Sequence, residues 1–297
     1  GIYFGGRTPP NTALNETESW NGTSWTEVNN LNTAIKSIAG FGITTAAISV
    51  GGSLPSPDTQ TGTESWNGTS WTEVAGTLNT GRSSMGSSGT QTSGLVFGGT
   101  PPITGKTESW DGTSWTEVGD LAQAAYGRGG SPAGTSQSAL ASGGEDGSPR
   151  NYTEEWSFSG LNPATTPAAD YSDAIVGQMY YNSTSGQFKA IKSGGAPIGT
   201  WSAGGNLNTT RYAGAGNGTQ TASLAISGGG TPSITVNVEQ YNGTSWTEVN
   251  NVNTGRSEAG GAGTVTAGLF FGGGTPTAVA NNESWNGTSW TEVTDLN

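Results

Sequence analysis

Thr17-Glu18-Ser19-Trp20-Asn21-Gly22-Thr23-Ser24-Trp25-Thr26-Glu27-Val28 is the stretch from which the fold can be read. It recurs almost verbatim as ESWNGTSWTEV at 64–74, ESWDGTSWTEV at 108–118, EQYNGTSWTEV at 239–249 and ESWNGTSWTEV at 283–293. A weaker copy, TEEWSFSG, starts at Thr153. Asn-Gly between two alternating runs signals a β-hairpin. A two-residue loop at Asn21-Gly22 would pair Trp20 with Thr23 and Glu18 with Trp25. Alternation then places Glu18, Trp20, Thr23, Trp25 and Glu27 on one face, and small side chains with Val28 on the other. Stacked hairpins of this kind bury rings against a neighbour's small face.

Outward from the hairpin, each repeat holds two more strand candidates. In the second repeat they are 34–41, small and Gly-containing, and 45–52, TAAISVGG. The Gly-Gly pair recurs at Gly5-Gly6, Gly51-Gly52, Gly98-Gly99, Gly143-Gly144, Gly228-Gly229 and Gly272-Gly273. Glycine there suits a tight strand exit. Each pair is followed by a loop of different sequence, and each hairpin by an LNTxR-like connection, as at 78–82, 207–211 and 252–256. Trp20 and Trp66 are 46 residues apart, and Trp66 and Trp110 are 44 apart. Four strands at this period make a propeller blade.

These residues resemble the kelch or galactose-oxidase type of β-propeller: Arg near the first strand, Gly-Gly ending the second, an aromatic in the third and Trp in the fourth. The resemblance implies one all-β propeller over residues 1–297, of four-stranded kelch-like blades. Six Gly-Gly strands and six third strands, ending at Trp20, Trp66, Trp110, Trp156, Tyr241 and Trp285, favour six blades, with seven as the alternative. The first blade lacks its innermost strand, which an extension of either terminus would supply. The chain starts at Gly1 inside a strand, as expected of a processed form or a piece of something longer.

Residues 160–198 interrupt the repeat and read as an insertion between strands three and four of blade four. Within it, 178–182 and 187–191 form a hairpin. That hairpin resembles segments of phage tail-fibre proteins, and the NGTSWTEV and LNT runs resemble predicted structural proteins of marine phages. The resemblance implies a non-catalytic virion protein in host attachment or surface decoration. Its partners would be other virion proteins or a host-surface glycan or protein, with a homo-oligomer also open. The alternative is a secreted or cell-surface propeller that binds glycans or proteins; a third reading is a carbohydrate-active enzyme.

Composition narrows the chemistry. The chain has 297 residues, 51 Gly, 11 Trp, no Cys and no His. All the Trp sit at repeat positions and read as core. Without His or Cys there is no Ser-His-Asp or Cys-His system and no histidine-ligated metal. The copper site of galactose oxidase needs both residue types, so its activity does not carry over. No cofactor and no enzymatic activity are expected. A net charge of −12 disfavours nucleic acid, and no apolar run approaches a membrane span. The two recurring hairpin Glu positions hold 11 of the 22 acids, read as solvated surface. The other acids, Asp58, Glu145, Asp146, Asp170, Asp173 and Glu258, are scattered, and Glu145-Asp146-Gly147 falls short of a calcium loop. The recurring Asn-x-Ser/Thr reads as turn chemistry. Arg82, Arg211 and Arg256 would converge near one mouth of the channel, there to bind an anion or to satisfy neighbouring-blade carbonyls. Tyr171, Tyr180, Tyr181 and Phe188 in the insertion would form a recognition surface or pack it onto the rim.

Overall fold

The computed structural model describes residues 1–8, 11–54, 59–131, 133–158, 199–275 and 277–297, and the backbone of 179–182 and 187–190. The described residues form no helix. Six antiparallel sheets follow one another around a ring, a six-bladed β-propeller. Blades 2, 3, 5 and 6 have four strands in sequence order, from the axis outward. In blade 2 these are Ala39–Ile43, Ala46–Val50, Thr63–Trp66 and Trp71–Val74. The inner strand thus begins five residues later than its sequence reads, because Ile35 bridges Leu14 and Ser37 turns the chain at φ 52°.

Two blades depart from the plan. Blade 1 has three strands, Ile2–Phe4, Thr17–Trp20 and Trp25–Val28. In blade 4, Ser138–Ser142, Thr153–Phe158 and Gly199–Ala203 form the sheet, and its inner strand is reduced to bridges at Gly129 and Thr135. Thr153–Phe158 pairs directly with Gly199–Ala203, so residues 159–198 lie between the third and fourth strands. Within them Met179–Asn182 pairs with Gln187–Ala190.

The recurring hairpin has a four-residue turn. Trp20 pairs with Trp25 and Glu18 with Glu27. The Asn21 side chain causes this: its Oδ1 accepts from the amides of Thr23 and Ser24 at 2.9 and 3.0 Å, with Gly22 at φ 106°. A side chain replaces the backbone bond of a two-residue turn. The slip is an even number of residues, so the faces stay as the alternation assigns them.

Packing between blades follows from those faces. Four outer Trp indoles reach the Thr that opens the third strand of the preceding blade. Trp71 donates to Thr17, Trp115 to Thr63, Trp201 to Thr107 and Trp246 to Thr153, each at 3.0 Å. The two aromatic rings of each hairpin lie ring to ring, 5.1 Å apart for Trp285 and Trp290 and 4.9 Å apart for Tyr241 and Trp246. Buried apolar clusters fill the seams; one joins Phe41, Ile48 and Val50 of blade 2 to Val96, Trp110 and Trp115 of blade 3. At the seam of blades 6 and 1, Phe271 meets Trp25 at 5.0 Å and Tyr3 at 5.9 Å.

The Gly-Gly pair has a steric cause. Gly98 and Gly99 take φ 68° and 108°. A Cβ on Gly98 would lie 2.5 Å from the Ala125 carbonyl, and one on Gly99 2.8 Å from that of Ser83. In blade 5 the pair with these angles is Ser227-Gly228, at 54° and 108°, not Gly228-Gly229. Ser227 tolerates the left-handed region because its hydroxyl is bonded to the carbonyls of Thr235 and Arg256.

Candidate interaction surface

Antiparallel order sends the loops between strands two and three, and the connections between blades, to one end of each sheet. The inner and outer hairpin turns go to the other end. Residues 159–198 replace the outer turn of blade 4. They therefore leave its sheet at the end opposite the variable loop.

At the loop end, each inter-blade connection bridges the loop of its own blade: Lys36 with Ser53, Ser83 with Thr100, Tyr126 with Glu145, Tyr212 with Gly229, Ser257 with Gly274. The next residue is left-handed in every case: Ser37, Ser84, Gly127, Ala213 and Glu258, at φ 48–60°. That kink aims each amide at the preceding member's carbonyl. Ser84 donates to Ser37, Gly127 to Ser84, Ala213 to Gly127 and Glu258 to Ala213, at 2.7 to 2.8 Å. Residues just past this relay, Gly40, Gly86, Gly130, Gly216 and Gly260 among them, line an axial cavity of about 220 Å³.

Arg82, Arg211 and Arg256 are not presented at this mouth. They are 1%, 3% and 0% exposed, turned into their own blades. Each pairs with the first Glu of its hairpin, Arg82 with Glu108 at 2.6 Å, Arg211 with Glu239 at 2.5 Å and Arg256 with Glu283 at 2.9 Å. Their remaining bonds go to carbonyls of the same blade, such as Gly98 and Lys106 for Arg82. A guanidinium at this slot satisfies the strand exit that the glycine pair leaves open. In blade 4 the slot is Ala125, and Arg128 reaches Glu154 at 3.1 Å from three residues further on. Its offset hid it in the sequence.

The same pairing corrects the reading of the hairpin acids. Glu18, Glu64, Glu108, Glu154, Glu239 and Glu283 are all buried. Besides the arginines, each accepts from the connection entering its blade. The donors are the Asn32 amide groups for Glu64, Asn79 for Glu108, Asn208 for Glu239, Asn253 for Glu283 and the Ala122 N–H for Glu154. Asn297 does the same for Glu18. Only the second hairpin Glu, as at Glu27 and Glu73, is exposed.

What the loop end does present is a patch on blades 4 and 5. Tyr126 and Tyr212 occupy the bridge position where other blades have Lys36, Ser83 and Ser257. Burial, and then Glu145 beside its hydroxyl, push the Tyr126 pKa up to about 12. Asp146 pairs with Arg150 at 2.6 Å, and the Arg150 guanidinium lies 5.8 Å from the centre of the Tyr152 ring. All six side chains belong to partly exposed residues. Rings beside paired charges can stack on a flat ligand face while offering hydrogen bonds at its edge. Glu258 is paired with Arg7 at 2.6 Å. Among the described residues no three acids group as a metal site.

Of the insertion aromatics, Tyr181 lies opposite Phe188 and Tyr180 opposite Lys189 in the backbone register. Tyr171 lies outside the described residues, as do Asp58, Asp170 and Asp173. The three arginines are buried within blades 3, 5 and 6. Tyr126, Tyr152 and Tyr212 were missed because each lies next to a repeated position rather than on it. The signal available was a column that changes residue type between otherwise constant flanks.

No protein-family model matches the chain, and no curated protein is similar to it. Among solved structures, that of YjhT is similar, with a TM-score of 0.66 and 12% identity over 93% of this chain and 90% of that one. At that identity the likeness concerns the propeller fold alone. No helix among the described residues is long and apolar enough to cross a membrane.

Proposed function

We propose that the protein is a non-catalytic interaction disc, a phage virion component in host attachment or surface decoration. One observation carries the non-catalytic reading. The first hairpin Glu of all six blades and four arginines, Arg82, Arg128, Arg211 and Arg256, are consumed inside the blades, whereas the loop end differs from blade to blade. Scaffold and recognition are thereby separated, as in other folds whose loops carry binding. The virion assignment rests on the likeness of the inserted hairpin and the repeats to phage proteins. The partner class is a glycan or a protein surface, met by Tyr126, Tyr152, Tyr212 and the paired charges around them.

A secreted or cell-surface glycan-binding propeller is the second reading, favoured by the same three tyrosines. Two measurements separate the readings. Detection of the chain at fixed stoichiometry in purified particles supports the first; a soluble protein absent from particles overturns it. Binding to host cells or a glycan array is expected to drop at least tenfold in Tyr126→Ala and Tyr212→Ala. Undiminished binding removes the patch from the proposal.

A further inference from the structure

The inner strands surround the axial cavity of about 220 Å³. The second strand of each blade decides which of their backbone groups face it. Gly51, Gly98, Ser227 and Gly272 donate to Gly62, Lys106, Asn237 and Asn281, just ahead of the third strand. Alternation then commits Val50, Phe97, Ile226 and Phe271 to Ala39, Gly86, Ala215 and Gly260 of the inner strand. The next inner residue, Gly40, Ser87, Gly216 or Gly261, turns its N–H and C=O off the sheet, toward the axis. In blade 4 Gly129 exchanges both bonds with Ser142, and Gly130 takes the same place. All five residues line the cavity. Their carbonyls lean on the next blade: a Cβ on Gly130, Gly216 or Gly261 would collide with the carbonyl oxygen of Ser87, Gly130 or Gly216, and the Gly40 carbonyl accepts from the Ser87 hydroxyl at 2.8 Å. The N–H groups of Gly130 and Gly216 have no acceptor among the described residues.

One cation joins these donors. The residue after each left-handed kink also lines the cavity: Ile38, Met85, Arg128, Gly214 and Ala259. Of these five only Arg128 is charged, and its side chain is 0% exposed. Its Nη2 donates to the Gln123 carbonyl at 2.8 Å and pairs with Glu154 at 3.1 Å. Nε and Nη1 are buried with no partner. In Arg82, Arg211 and Arg256, Nη1 reaches a carbonyl at the strand exit, of Gly98, Ser227 and Gly272. Set three residues further on, Arg128 reaches its Glu but not those carbonyls. Buried donors without acceptors are rare in native proteins. No acidic residue is among those lining the cavity.

We propose that the axial cavity is a binding site for a small, singly charged oxyanion of the carboxylate type, held by the Arg128 guanidinium and the axial N–H groups of Gly130 and Gly216. Convergent backbone amides beside a guanidinium are an anion cradle. Glu154 already balances one charge at Arg128, so the second charge of a dianion would stay uncompensated in a buried site. The volume suits a carboxylate bearing a few carbons; pockets for larger ligands run to about 300–1,000 Å³. This site is separate from the tyrosine patch, and its failure leaves that reading untouched.

The test titrates acetate into the full chain by calorimetry, at constant ionic strength set with chloride, beside sulfate. The expected result is one saturable acetate site, at least tenfold tighter than sulfate, with a Tm that rises with acetate concentration. Arg128→Met combined with Glu154→Gln removes the cation without stranding its acid, and gives blade 4 the side chain that blade 3 has at Met85. Ala259→Met keeps both charged residues and narrows the cavity. Each variant should weaken acetate at least tenfold, and the second does so with the buried pair intact. No saturable acetate binding, or binding that either variant retains in full, overturns the proposal. Sulfate bound as tightly as acetate also overturns it.

Discussion

The Arg256 guanidinium meets the Glu283 carboxylate at 2.9 Å, with 0% and 1% of their side chains exposed. Nη1 of the same arginine donates to the carbonyls of Gly272 and Asn281, and the guanidinium lies 4.1 Å from the centre of the Phe270 ring. Burial pulls the guanidinium below its ordinary pKa, and Glu283 opposes the pull. Removing one partner of such a pair strands the other. Arg256→Ala is expected to cost about 3–5 kcal/mol in urea unfolding. Blade 2 shows the alternative, with Ile35 in the arginine slot and Glu64 held by Asn32 and Thr33. Arg256→Ile combined with Glu283→Gln should therefore recover most of the loss, and a double variant as unstable as Arg256→Ala would refute this account.

The seam bond between Trp115 and Thr63 is buried and 3.0 Å long. Thr63→Val keeps the shape and leaves the indole N–H without its acceptor. The expected loss is about 1–2 kcal/mol, read from the denaturant midpoint. Blade 5 carries Val238 at this position, and there Trp290 turns to the Asn250 carbonyl at 3.1 Å. Thr63→Val should be compensated only if Trp115 finds a similar carbonyl; an unchanged midpoint would show that it does.

The outer turns make one blade acid-sensitive. Asp111 stands where the others have Asn, accepting from the amides of Thr113 and Ser114 at 2.8 Å. The Ser114 amide, foremost, holds its carboxyl below the ordinary range. A depressed carboxyl contributes stability above its unfolded pKa, and that contribution is lost as pH falls through the folded value. Asp111→Asn should remove this dependence without loss at neutral pH. The check is thermal melting of both proteins between neutral pH and the acid range; parallel curves would count against it.

Two tyrosines predict weakening in alkali. The Tyr241 hydroxyl is bonded to Glu155 of the preceding blade. Burial, then Glu155, push its pKa up to about 12, as Glu145 and burial do for Tyr126. A raised pKa means stability that is whole below the unfolded value of 10.0 and is lost as pH rises toward about 12. Urea midpoints across this window should fall less steeply in Tyr241→Phe than in the parent chain. Equal slopes would refute the assignment.

The propeller was legible because its signals are local. The Gly-Gly exit and the Asn-Gly turn depend on φ angles that few residues adopt, and the paired Trp mark one face of one hairpin. Legibility failed where a distant segment decides. Alternation places Glu108 on a face, but only the connection carrying Asn79 and Arg82 buries it. Arg128 escaped notice because space, not spacing, brings it to Glu154. Tyr126 and Tyr212 stand together only through the bridges that set them beside Glu145 and Gly229.

The Asn–Glu latch also sets a timetable for biosynthesis. Asn32 is made before Glu64, Asn79 before Glu108, Asn208 before Glu239 and Asn253 before Glu283. Each of these blades can therefore lock as it leaves the ribosome, against a clasp already waiting. Glu18 alone is translated 279 residues ahead of its clasp, Asn297. The first blade to be made is the last to be secured. Until Asn297 is made it is an open ring end, and it needs protection from other nascent chains while all five later blades are translated.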